Sequence, residues 1–197
     1  MAKETDEDLR ADIDAMVSAL VSAAFLPRDQ VWFALDDICE QGDDPDALRA
    51  YASAELERLW SAQRSAERDW GEQTDCDRLD KAFSELDACG IVSRQDFTCC
   101  GNCGAAEIGA EMDDAEGRGV HVRGYAFYHQ QDTERAVEGH GIYLNYGADR
   151  AGEEPALAIA HEIIAVLKRN GLDPQWNGKF SQRIHVPMVW RRRLRCT

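Results

Sequence analysis

The chain of 197 residues has no apolar run near the ~20 residues a membrane span requires. Nor do its first residues follow the basic-then-apolar order of a secretory signal. Both absences predict a soluble, cytoplasmic protein with no membrane partner. There is no G-x-G-x-x-G after a strand and no phosphate loop with its lysine, so nucleotide binding has no support. A formal charge of -15 repels phosphate backbones, and aromatic residues are not interleaved with basic ones, so no nucleic-acid partner is expected. No serine sits in a nucleophile turn. His161-Glu162 lacks the second zinc-protease histidine, because position 165 is alanine. Repeats, low-complexity tracts and flexible linkers are missing too. Whether the protein is an enzyme stays open at this level.

The hydrophobic residues, 44% of the chain, are spread along it and can fill a sizeable core. Charge is uneven. Up to Gly90 there are 23 acidic and 9 basic residues, whereas from Ile91 onward 14 acidic meet 13 basic. The acidic half is a candidate surface for a basic protein partner. The closing run Arg191-Arg192-Arg193-Leu194-Arg195 could meet an acidic surface, its own first half included, but reads more simply as a solvated terminus.

Helical periodicity dominates the first ninety residues. Leu9, Ile13, Met16, Val17 and Leu20 share a face, with Thr5 and Asp8 as a capping box and Pro27 as a stop. Asp29 is placed to cap a second helix carrying Val31, Trp32, Leu35 and Ile38. Asp44-Pro45 opens a long third helix ending by Gly71, and Thr74 starts a fourth that Gly90 closes. The period then changes: Val120 to Tyr128, Gly141 to Tyr146 and Arg183 to Val189 read as strands. A short helix from Asp132 to Val137 and a long one from about Glu154 to Asn170 lie between them. The expected fold is α+β, forming one compact unit: an acidic helical layer of about four helices (1–90) packed on a small, mainly antiparallel sheet of three to four strands with covering helices (91–197).

Chemistry concentrates in Phe97-Thr98-Cys99-Cys100-Gly101-Asn102-Cys103-Gly104. Seven cysteines, an odd number in a chain read as cytoplasmic, argue against a disulfide framework. Cys100 and Cys103 have the form of half a zinc knuckle, two thiolates able to bite one ion with a glycine permitting the turn. With no second C-x-x-C, further ligands must come from Cys99, Cys76, Cys89, Cys196, His121, His129, His140 or His161. His129, at a predicted strand end, is favoured, giving the set Cys99, Cys100, Cys103 and His129, with zinc the possible metal. The same C-x-x-C suits a dithiol oxidoreductase if Gly104 to Ile108 continue as a helix, since a helix N-terminus lowers a thiol pKa. Against this, no complete βαβ unit clearly precedes the motif. The plain alternative is that these thiols are buried small hydrophobes in a corner.

The second dense stretch is Gly124-Tyr125-Ala126-Phe127-Tyr128-His129-Gln130-Gln131-Asp132-Thr133. His129 and Asp132 have the types of a proton-transfer pair, and His129 with one of the cysteines those of a thiolate-imidazole enzyme. As structure, Asp132 or Thr133 is simply a helix cap. Cys100, Cys103, His129 and Asp132 are therefore the candidate catalytic residues. Three readings stay open: a binding or regulatory module around a cysteine-rich site, a dithiol or Cys-His enzyme, and an acidic interaction or inhibitor protein.

Taken together, Gly90-Ile91-Val92, Phe97-x-Cys99-Cys100-x-x-Cys103-Gly104, Gly124-Tyr125-x-Phe127-Tyr128-His129-x-Gln131-Asp132-Thr133, Leu144-x-Tyr146-Gly147 and Gly171-Leu172 to Trp176-Asn177-Gly178 resemble an uncharacterised bacterial family, domain of unknown function 6891. The resemblance covers most of the chain and is densest from Gly90 to Trp190. It implies a bacterial cytoplasmic source and carries no activity, cofactor or substrate with it. A preference for Arg (18) over Lys (4) is congenial to that source.

Overall fold

In a computed structural model, residues 5–195 are described. Among them are seven helices and four strands, and the described residues divide into two compact units, one of residues 5–72 with 191–195 and one of 73–190. No described helix is long and apolar enough to cross a membrane.

The first unit holds α1 (Asp6–Ala23), α2 (Arg28–Cys39) and α3 (Pro45–Glu67). Thr5 and Asp8 close the expected capping box on α1, and the Asp44 carboxylate accepts from the Ala47 N–H at the start of α3. The second helix differs from expectation, because Pro27 rather than Asp29 is its cap residue. Proline sets the extended entry, which leaves Asp29 inside the first turn where its charge faces the positive helix end. Leu9, Ile13, Val17, Val31, Leu35, Leu48 and Leu56 form the core of this unit. Leu194 belongs to that core as well, and the Arg192 guanidinium lies 4.3 Å from the centre of the Phe25 ring. The reading of the arginine run as a solvated terminus is thereby corrected: its one leucine is apolar enough to anchor the strand of charges around it.

The second unit begins with α4 (Asp75–Ala88), capped by Thr74 and Asp77 and followed by Gly90 at φ +80°, the left-handed residue expected there. This fourth helix packs on β1 (Ile91–Arg94) and on α7 (Glu153–Arg169). The remaining elements are α5 (Gly101–Gly117), β2 (Gly124–Phe127), α6 (Gln130–Val137), β3 (Ile142–Ala148) and β4 (Ile184–Val186). Spatial order follows chain order, β1-β2-β3-β4. The first pair is parallel and the other two antiparallel, so the fold is α+β with a mostly antiparallel sheet.

Two elements escape the sequence pattern. Four residues, Ile91–Arg94, are too short to show alternation, and three of them are buried. The residues of α5 include four glycines and few large apolar side chains, so its stripe is faint; only Gly104, Ile108 and Ala115 are buried. Together these elements make β1-α5-β2 a parallel crossover, and α5 covers one sheet face through Val92, Ile108, Ala115 and Phe127. The α7 helix covers β2 and β3 with the stripe Ile159, Ala160, Ile163 and Leu167.

Candidate functional site

The cysteines sit where a parallel strand hands over to its crossover helix. After β1, the chain turns through two residues in the left-handed region, Asp96 at φ +52° and Thr98 at φ +58°. A β-branched residue there costs of order 1–2 kcal/mol, so the loop is held by other bonds. Phe97 N–H donates to the Tyr128 carbonyl at 2.8 Å and Gln130 N–H donates to the Thr98 carbonyl at 3.1 Å. The Thr133 hydroxyl donates to Asp96, and the Thr98 hydroxyl to the Cys100 carbonyl at 3.1 Å. These bonds stitch the cysteine loop to the Tyr128-His129 strand end.

Cys100 is the N-cap residue of α5, and Cys103 occupies its first turn. The Sγ atoms of Cys99, Cys100 and Cys103 all lie within 4.8 Å of one another, and those of Cys99 and Cys103 are 3.4 Å apart. Cys99 is exposed and the other two are half-buried, so the group meets solvent on one side. Among the described residues no other group of three such donors could hold an ion. The Cys103 N–H, the Cys103 thiol and the Asn102 N–H lower the pKa of Cys100, as a helix N-terminus does, although no cap hydrogen bond to its side chain is fully closed. Cys103, hydrogen-bonded first to Cys99 and then to Cys100, is pushed up to about 12. Gly104 follows because a methyl at that position would overlap the Phe127 ring, and its absence lets α5 come down on β2.

His129 stands at the C-terminal end of the neighbouring strand as the N-cap residue of α6. A side chain grown from Gly101 would meet the imidazole edge, Cδ2 and Nε2, at 3.5 Å, so the ring abuts the first residue of the cysteine helix. Its Nε2 lies 3.1 Å from the Asp132 carboxylate and 3.3 Å from Arg183 Nη1. Arg183 completes the group by donating through Nη2 to Asp132 and to the Tyr143 carbonyl. Burial lowers the His129 pKa and raises that of Asp132, each only partly opposed by the neighbouring charge. Burial likewise lowers that of Arg183. Nε2 thus stands between the Asp132 carboxylate and the Arg183 guanidinium, while Nδ1 is buried and without a partner.

Asp132 also accepts the His129 backbone N–H at 3.3 Å, the capping role expected for it. Two predicted strand ends are thus drawn together by one arginine. Sequence reading missed Arg183, whose signal was only its place at the start of a predicted strand opposite a buried acid. The other cysteine and histidine candidates lie elsewhere. Cys76 is buried in α4, Cys89 is exposed at its end, His161 packs edge-on against Trp176, His140 lies 4.0 Å from Glu138, and His121 lines a cleft with Arg123 and Glu162. Cys196 lies outside the described residues.

Fold and site define an α+β protein carrying a three-thiol group at the N-terminus of a crossover helix, beside a buried histidine, aspartate and arginine. The chain belongs to the family described as Domain of unknown function (DUF6891), whose model matches residues 6–194. No curated protein and no solved structure matches it.

Proposed function

We propose that the protein is a metal-binding module in which Cys99, Cys100 and Cys103 hold one zinc-class ion, with His129 the chain's candidate for the fourth position. The observation that carries this reading is the mutual approach of three thiols within 4.8 Å. Sulfurs bound to one tetrahedral ion at about 2.3 Å stand about 3.8 Å apart, close to the spacing this backbone already imposes. Thiolates are soft ligands, which favours zinc or copper(I) over magnesium or calcium. The His129 edge that abuts Gly101 carries Nε2, which Asp132 already holds, so a place for this ring at the ion requires it to turn from that carboxylate. The exposed face of Cys99 suits exchange of the ion or of a small ligand, hence a binding or regulatory role.

The test is elemental analysis of protein purified without chelator. One equivalent of metal is expected, falling below about a tenth in Cys103→Ser, while His129→Gln distinguishes a protein-supplied fourth ligand from an external one. Folded wild-type protein carrying well under one equivalent overturns the proposal.

A second reading, dithiol exchange at Cys100 and Cys103, draws on the parallel β1-α5-β2 unit that contains the motif. That unit answers the objection that no βαβ unit precedes it, because the motif lies within the crossover itself. Alkylation of metal-free protein decides: Cys100 should label faster than Cys39, which is buried and has a raised pKa. Equal or slower labelling of Cys100 counts against exchange.

A further inference from the structure

Two of the three thiols gathered by the crossover loop stand closer than a shared ion needs. Cys99 and Cys103 bring their Sγ atoms to 3.4 Å, whereas two sulfurs on one tetrahedral ion are about 3.8 Å apart and two joined in a disulfide about 2.05 Å. This pair is not the C-x-x-C pair, Cys100 and Cys103, that the sequence offers. The backbone on both sides of it is tied down. The Gln130 N–H donates to the Thr98 carbonyl at 3.1 Å, and the Thr98 hydroxyl donates to the Cys100 carbonyl at 3.1 Å. On the Cys103 side, the Gly104 N–H donates to the Cys100 carbonyl at 3.0 Å in the first turn of α5. The approach of the two sulfurs is thus set by the fold, and rotation of their side chains closes the remaining gap.

Access differs among the thiols. Cys99 is exposed and Cys103 half-buried, while Cys39 and Cys76 are buried in helices; Cys89 is exposed but stands outside the three-thiol group. An oxidant in solvent therefore meets Cys99 first and finds a second thiol in contact with it. A sulfenic acid formed beside such a thiol condenses with it to a disulfide, which keeps the sulfur from the irreversible sulfinic level.

We propose that Cys99 and Cys103 are an oxidation site, which a hydroperoxide converts to a disulfide and a dithiol restores. The Cys99 sulfur attacks the outer oxygen of the hydroperoxide. An S–O bond forms, the O–O bond breaks, and the departing oxygen takes the thiol proton and leaves as an alcohol, or as water where the oxidant is hydrogen peroxide. The Cys103 sulfur then attacks the Cys99 sulfur. An S–S bond forms, the S–O bond breaks, and the hydroxide leaves as water with the Cys103 proton. Two thiols have given up two electrons and two protons to the O–O bond. Cys100 alone is then left as a thiol ligand, too few to keep a thiolate-held ion, so oxidation frees the metal. That release rests on the metal-binding reading; the disulfide does not.

Metal-free protein is treated with a small excess of hydrogen peroxide, blocked with iodoacetamide, reduced, and labelled with N-ethylmaleimide. All three cysteines fall in the tryptic peptide 95–118, whose fragment spectra place the second label residue by residue. It should lie on Cys99 and Cys103 together. Cys100→Ser keeps a favoured N-cap residue and should close the disulfide at the wild-type rate, while Cys99→Ser should slow disulfide formation at least about tenfold. Zinc-loaded protein mixed with peroxide and a chromogenic chelator should lose its ion in step with the disulfide, and dithiothreitol should reverse both. Protein that takes up no zinc beforehand overturns the metal-binding reading and leaves the labelling to decide the pair. The proposal is overturned if the second label falls on Cys100, if Cys100→Ser closes no disulfide, if Cys99→Ser closes one as fast as wild type, or if bound zinc leaves before any disulfide forms.

Discussion

Cys100, His129 and Arg183 show how much a single side chain's surroundings decide. The same thiol that is inert in a helix core becomes acidic at a helix N-terminus, because the Cys103 and Asn102 N–H groups favour its anion. His129 is the opposite case: burial disfavours its charged form, and the pull of Asp132 does not outweigh the loss of water and the push of Arg183. Its folded pKa is therefore below 6.5, so the unfolded chain takes up the proton first as pH falls. Stability from this residue is complete above 6.5 and declines as pH drops through 6.5 towards the lower folded value. Asp132 works in the other direction, its raised folded pKa giving stability that is lost as pH rises through that value, and Glu134 adds only a weak pull on the ring. Melting temperatures at pH 7.5 and 5.5 should therefore fall more steeply towards acid for the wild type than for His129→Gln. An equal slope in both would show that the ring is not buried neutral.

At the scale of elements, α5 decides the site. Its glycines blur its periodicity, and two of them, Gly101 and Gly104, differ in what they pack against. Gly104 lies against the Phe127 ring, whereas Gly101 has only ordinary contact with His129. Gly104→Ala should therefore cost about 1–3 kcal/mol through overpacking, while Gly101→Ala should remain within about 1 kcal/mol of wild type. Chemical denaturation measures both. A smaller loss for Gly104→Ala than for Gly101→Ala would mean that α5 does not rest on β2 as described. The helices of the first ninety residues were legible because capping boxes at Thr5 and Thr74 and a full apolar stripe are local signals. The strand β1 was not, since four residues gain their identity from pairing Ile91 to Arg94 with Gly124 to Phe127, a partnership far away in the chain.

For the whole molecule, the two ends of the chain share a unit. Leu194 is 4% exposed among the side chains of α1, α2 and α3, its N–H donates to Glu67 at 2.6 Å, and Arg193 donates to the Gly71 carbonyl at 2.7 Å. Leu194→Ala should destabilise the protein by about 2 kcal/mol or more, because it removes buried methyl groups from a formed core. Arg195→Ala, exposed on the same run, should change stability by less than about 0.5 kcal/mol. Urea unfolding followed by circular dichroism separates the two, and equal, small effects would return the terminus to solvent.

Composition, periodicity and capping determined the helices, the switch to strands, the acidic bias and the three cysteines as the place to look. These are properties of neighbours in sequence, set within one or two turns of backbone. Tertiary structure decided that β1 and β2 run parallel and that α5 begins at Cys100. It also decided that the loop bearing Cys99 is tied to the strand end bearing His129. Arg183 entered the site in the same way, from 51 positions beyond Asp132. No local pattern encodes such meetings, because the hydrogen bonds and burial that stabilise them exist only once the distant segments pack.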